Sequence, residues 1–199
     1  MKQDAYEFLL TLQKLQLGIM ADEVLNLGFG SLTYSQADKS VYFNNVLVNT
    51  LLTDDQVDIA EKTWKAKDRT STFYFENTPD HENLKTYLGD KGYKKVFEDC
   101  WMFHAGSGID PTRFHEVKEV ATNDDLEVFI EIFDQSFQND DPQNPYGTIG
   151  EGLAIARRAW RNFKGTNKLR YFIAYKEGKP VAVSALTNYQ GHGYISNVG

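Results

Sequence analysis

Apolar residues recur along the chain with two periods, and the places where the period changes divide it into elements. From Asp4 onward Phe8, Leu12 and Leu15 follow at helical spacing with Leu9 beside them, and the pattern stops near Leu17-Gly18. A first amphipathic helix is predicted there. Between Ser31 and Thr50 the residues Leu32, Tyr34, Val41, Phe43, Val46 and Val48 favour extended backbone, so two strands joined at Ala37-Asp38-Lys39 are expected. Thr53-Asp54-Asp55-Gln56 has the spacing of a capping box, and Val57, Ala60 and Trp64 then share one helical face. A strand at Ser71 to Phe75, a break at Glu76-Asn77-Thr78-Pro79, and a helix carrying Leu84, Tyr87 and Leu88 with Gly92 as its cap come next. Val96 to His104 holds enough large apolar residues to predict a further strand.

From Gly106 to Phe114 turn formers dominate, which predicts a linker over 106–114 between a domain of residues 1–105 and another of 115–199. His115 to Val120 alternates as a strand, and Thr122-Asn123-Asp124-Asp125 opens a helix whose buried stripe is Leu126, Phe129, Ile130, Phe133 and Phe137. Two prolines in the polar loop Gln138 to Gly147 end that helix. A second helix places Ile149, Leu153, Ala156, Trp160 and Phe163 on one side and Arg157, Arg158, Arg161 and Lys164 toward the other. Arg170 to Tyr175 and Pro180 to Asn188 form a hairpin around Lys176-Glu177-Gly178-Lys179. The last run, Gly193 to Gly199, reads as a strand in progress where the sequence stops.

Composition narrows the classes. The 199 residues are 41% hydrophobic and 14% aromatic, which is a folded chain, and no 20–50-residue repeat marks a solenoid. A net charge of −7 supplies no basic field for a phosphate backbone, so nucleic acid is not an expected partner. The single cysteine, Cys100, rules out an internal disulfide, and the histidines stand without ligand spacing, so no metal is expected. Charges interrupt every apolar run well short of the ~20 residues that span a bilayer. A cytoplasmic protein without membrane contact is expected. Gly28-Phe29-Gly30 precedes a β-prone run rather than a helix, so it is not a nucleotide loop.

The run from Tyr171 through Glu177-Gly178 to Ala185, followed by Tyr194-Ile195-Ser196-Asn197-Val198-Gly199, resembles the middle of a GNAT superfamily N-acetyltransferase. The resemblance covers roughly Glu116 to Gly199. In the first half, Leu84-x-x-Tyr87-Leu88 with Gly92-Tyr93 is similar to that family's closing unit. It implies an α+β fold, a mixed sheet with flanking helices, built as a GNAT-like amino-terminal half plus a partial second GNAT domain. It implies acyl transfer from acetyl-CoA to a small-molecule or peptide amine, with the donor's pantetheine arm lying beside the last strand at Asn197, Val198 and Gly199. The family's Gln/Arg-x-x-Gly-x-Gly/Ala run, whose main-chain N–H groups hold the pyrophosphate, occurs nowhere in the 199 residues. The chain alone is therefore expected to be inactive.

The resemblance places the acceptor pocket at the loop of Asp140, Asp141 and Tyr146, whose acids suit a cationic amine; a solvated turn is the other reading. Tyr194 and Asn197 lie near the expected reaction centre, Glu177 in a turn and His192 between glycines, and no general base or acid is assigned. The competing function is a non-catalytic interaction module that binds a partner, or a second copy, through an open sheet edge.

Overall fold

Thr53 and Thr122 each begin a helix by the same device. The threonine side chain accepts a hydrogen bond from the main-chain N–H three residues on, and the side chain there, Gln56 or Asp125, accepts one from the threonine's own N–H. In the computed structural model, which describes residues 5–102, 116–138 and 147–199, these helices are α2 (Asp54–Ala66) and α4 (Asn123–Gln135). Two sheets accompany them, and the fold is α+β.

The first sheet runs in the order β1 (Glu23–Asn26), β2 (Ser31–Tyr34), β3 (Asn45–Leu47), β4 (Phe73–Tyr74). Its first three strands are antiparallel, and β4 pairs in parallel with β3 after the α2 crossover. The apolar face of α2, with Val57, Ala60 and Trp64, packs with Leu32, Val46 and Val48 and with Leu84 and Leu88 of α3 (Glu82–Asp90). Truncating a side chain like Trp64 to alanine in such a core costs about 3–5 kcal/mol. Gly30 is fixed by crowding, since a Cβ there would stand 2.7 Å from the Leu47 carbonyl oxygen.

Two expected strands are corrected. The strand after the first hairpin begins at Asn45, so Val41 and Phe43 belong to a ten-residue connection, 35–44, instead. Buried Asn44 organises it: its Oδ1 accepts from the Ser35 N–H at 2.9 Å and its Nδ2 donates to the Asp38 and Ser40 carbonyls at 2.7 and 2.8 Å. A side chain that satisfies that many main-chain groups replaces ladder bonds. The strand expected at Val96 to His104 is also missing from its described part, where 93–102 form no ladder. Rings hold this segment: Phe97 lies against Tyr42 and Tyr74, and Trp101 against Phe8 and Tyr194.

The second sheet is antiparallel throughout, in the order β5 (Glu116–Glu119), β6 (Leu169–Lys176), β7 (Lys179–Tyr189), β8 (His192–Ser196). Helices α4 and α5 (Glu151–Phe163) pack on one face of it. There Tyr171 stacks on Phe129 with ring centres 4.2 Å apart and donates its hydroxyl hydrogen to the Ala156 carbonyl at 3.0 Å. Trp160 donates to the Val120 carbonyl at 3.3 Å, tying α5 to the end of β5.

Helix α1 (Ala5–Gln16) stands between the sheets. Its Leu9, Leu12 and Leu15 cluster with Leu47 and Tyr74 of the first sheet and with Tyr189 and Tyr194 of the second. Lys168 donates to the Leu17 carbonyl at 2.8 Å, and Arg158 pairs with Asp22 at 3.3 Å. The expected linker, 106–114, lies outside the described residues. Among those residues no helix is long and apolar enough to cross a membrane.

Candidate functional site

The edge formed by β8 is built by its hairpin. Gln190 and Gly191 both take positive φ, 46° and 82°, the two-residue turn that suits twisted strands, and Tyr189 then faces His192. From such a turn, pairs that exchange hydrogen bonds alternate with pairs that do not. Tyr189 with His192, Thr187 with Tyr194 and Ala185 with Ser196 are the bonded pairs, which turns the main-chain groups of Gly193 and Ile195 outward. The Asn188 N–H fits that alternation, because it is given to the Lys168 carbonyl on the other side at 2.9 Å.

Beyond Ser196 the strand swells. Gly199 pairs with Val183 through both main-chain groups, at 2.8 and 3.2 Å, so Asn197 and Val198 together oppose the single residue Ser184. This is a bulge, and Asn197 takes a φ of 51° to make it. Gly199 approaches the end of α4 so closely that a Cβ would stand 2.5 Å from Ser136 Oγ. Of the three residues expected beside a donor, Gly199 thus uses its main chain in the sheet, while Asn197 and Val198 form the bulge and Val198 is 65% exposed.

Behind β8, three elements bring aromatic rings and one acid together. Tyr194 comes from β8, Tyr74 from β4, and Asp99 with Trp101 from the ring-held segment. The Trp101 and Tyr194 ring centres are 5.7 Å apart, Trp101 Nε1 donates to the Tyr74 hydroxyl at 2.8 Å, and that hydroxyl donates to Asp99 Oδ2 at 3.3 Å. Burial pushes the Tyr74 hydroxyl up to about 12, and the Asp99 charge adds to the rise. Burial also raises Tyr194, again with help from Asp99. Asp99 itself is raised by burial, which the Tyr74 hydrogen bond offsets only in part. Each of the other carboxylates with a resolved shift among the described residues is lowered: Asp68, Glu98, Glu119 and Glu127 by a cationic partner, Asp54 by the Tyr87 hydroxyl and then Lys91, and Asp125 by the Thr122 hydroxyl and main chain at a helix start.

The remaining candidates are placed elsewhere. Asp140, Asp141 and Tyr146 lie outside the described residues. Glu177 takes a φ of 54° in the β6–β7 turn, and His192 is exposed at the start of β8. His81 is engaged on both ring nitrogens, by Thr78 at 2.9 Å and the Asn49 carbonyl at 3.0 Å. The cationic row on α5 is largely absorbed: Arg157 grips Glu127 with two nitrogens, Arg158 meets Asp22, and Lys164 lies over the Trp160 ring. The sequence pattern does not mark Asp99, Tyr74 or Trp101 as site residues. The signal available for them was local: an acid flanked by Phe97 and Trp101, where a strand face would carry no charge.

No protein-family model and no curated protein matches the chain. Among solved structures it is similar to a functionally unknown conserved protein from Staphylococcus epidermidis ATCC 12228, with a TM-score of 0.60 at 10% identity over 92% of this chain and 73% of that one. At that identity the likeness shows the fold alone.

Proposed function

We propose that the chain carries the donor-strand half of a GNAT-type N-acyltransferase, which lays the pantetheine arm of an acyl-CoA along the outer edge of β8. The observation that carries this reading is the edge itself. Gly193 and Ile195 turn main-chain donors and acceptors away from the sheet, and the Asn197–Val198 bulge follows them directly. Pantetheine is a chain of two amides, so it pairs with such an edge as an added strand would. The order β5, α4, α5, β6, β7, β8 agrees with the element order that the resemblance implies. The diphosphate of the donor finds no Gln/Arg-x-x-Gly-x-Gly/Ala run in these residues, so this chain holds the arm and not the phosphates.

The test uses the arm without the diphosphate. S-acetyl-pantetheine is titrated into labelled protein, and the amide resonances of Gly193, Ile195 and Asn197 are expected to move in a saturable way. Ile195→Pro removes only an outward N–H, a place where a sheet tolerates proline, so the variant folds and loses the response. Unmoved β8 amides in the wild-type protein would falsify the proposal. A second reading, an interaction module, is favoured by one observation, the apolar exposure of Ile195 at 66% on the same edge. It predicts a concentration-dependent dimer that pantetheine does not dissolve.

A further inference from the structure

We infer that α1 is a strap that opens as one unit and uncovers the tyrosines of the β7–β8 hairpin while both sheets stay folded. Six buried side-chain polar atoms have no hydrogen-bond partner among the described residues, and four of them lie on α1 or on the sheet faces it joins. Gln13 Oε1 and Gln16 Oε1 belong to the helix itself, three residues apart and so on one side of it. The Thr33 and Thr187 hydroxyls face it from the two sheets. Thr33 lies two residues from Ser31, whose cross-strand partner Leu47 clusters with the α1 leucines, and Thr187 stands opposite Tyr194, which packs against the same cluster. A buried oxygen without a donor loses its hydration and gains nothing for it, and native chains leave few of them.

The helices of the second half are fastened differently. Tyr171 donates to the Ala156 carbonyl at 3.0 Å, and Arg157 grips Glu127 at 2.8 Å. From α1, Gln13 Nε2 reaches the Ser31 carbonyl at 3.3 Å, long for an N–H···O bond. Its hold comes from apolar packing, with Leu9, Leu12 and Leu15 buried and Phe8 edge-on to Trp101. The unpaired oxygens work against that hold, because water satisfies them as soon as the helix lifts. Just past the helix the chain is anchored: Lys168 donates to the Leu17 carbonyl and the Asp22 N–H to the Tyr34 carbonyl, both at 2.8 Å, while Ile19 is buried in the core of the second half. Lifting α1 from this fixed turn needs no movement of either sheet, and it exposes Tyr189 and Tyr194. The strap stands whether or not β8 receives a pantetheine arm.

Native-state hydrogen exchange of the full chain, read by NMR in low urea, tests this. The amides of residues 9–16 are expected to open at one shared rate, exchanging at least about 100-fold faster than those of α4 and with a shallower urea dependence, because the opening exposes less surface than unfolding does. Gln16→Met keeps the length and helix preference of the side chain and removes an unpaired oxygen, so it should slow α1 exchange by about tenfold. Thr187→Val does the same from the sheet side and decides the matter should the first variant fail to fold. Exchange in α1 as slow as in α4, rates that fall off residue by residue from the first turn as in end fraying, or no slowing in either folded variant overturns the inference.

Discussion

The second sheet has two edges, and they are finished in opposite ways. At β5 the strand is short and exposed along its whole length, and its charges are tied off, Lys118 with Glu116 at 3.2 Å and Glu119 with Arg170 at 2.6 Å. Charges on a short edge strand keep other strands away. At β8 the edge carries His192, Gly193, Tyr194, Ile195 and Ser196, without a lysine, an acid or a proline, and ends in a bulge. One border of the sheet is defended and the other is left ready to pair. Both edges carry an exposed valine or isoleucine, Val117 at 53% and Ile195 at 66%, so apolar exposure alone does not separate them; the ion pairs do.

The largest effect expected is loss of the sheet that makes the comparison possible. Tyr171 on β6 joins the two edges to the helix layer through its stack on Phe129 and its hydroxyl contact with Ala156. Tyr171→Ala should cost about 3–5 kcal/mol, and Tyr171→Phe, which keeps the stack, about 1 kcal/mol. Urea denaturation of the two variants measures both. Similar losses would mean that the hydroxyl, and not the ring, holds the layer.

A smaller effect separates the edges themselves. If β8 pairs with a second copy, Ile195→Lys brings like charges together across the new ladder and should weaken the dimer by roughly tenfold, whereas Val117→Lys on the defended edge should change nothing. Sedimentation velocity over a concentration series reads both. Equal weakening by the two substitutions would mean that association runs through the sheet's face and not its β8 border.

How much of this was legible from the residues depends on how local the signal was. Thr53 and Thr122 announced their helices because a capping box is closed within four residues. The β6–β7 hairpin was equally plain, since Glu177-Gly178 supplies both left-handed positions of its turn. Strand β1 was missed: Glu-Val-Leu-Asn is short, and it is a strand only because β2 lies beside it. The segment around Trp101 failed for a related reason. Its apolar residues suit a ladder as well as they suit a ring cluster, and only the arrival of Tyr74 and Tyr194 from distant positions makes them the latter. The bulge at Asn197 has no sequence signature of its own, because asparagine accepts positive φ in many settings. Asp99 stands out only through packing, since none of the described residues gives it a cationic partner.

The smallest effect bears on what stands behind the open edge. The folded-state pKa of Asp99 lies above the ordinary aspartate value of 3.8 because burial disfavours its charge. Between 3.8 and the raised folded value, the native chain binds more of this proton than the unfolded chain does, so stability falls as pH rises through that window. Tyr74 and Tyr194 face the acid, but both are raised from an ordinary tyrosine value of 10.0 and stay protonated throughout. Asp99→Asn removes the titration while keeping the shape. Its melting temperature should therefore exceed that of the wild type at pH 7, and the gain should shrink at pH 3, where Asp99 is neutral in both states; other carboxylates titrate alike in the two proteins and cancel from the difference. Thermal melts of the pair at the two pH values supply the number. A gain that is unchanged or larger at pH 3 would mean that Asp99 bears no penalty for its charge, and the contrast between a defended border and a vacant one would then stop at the main chain of β8.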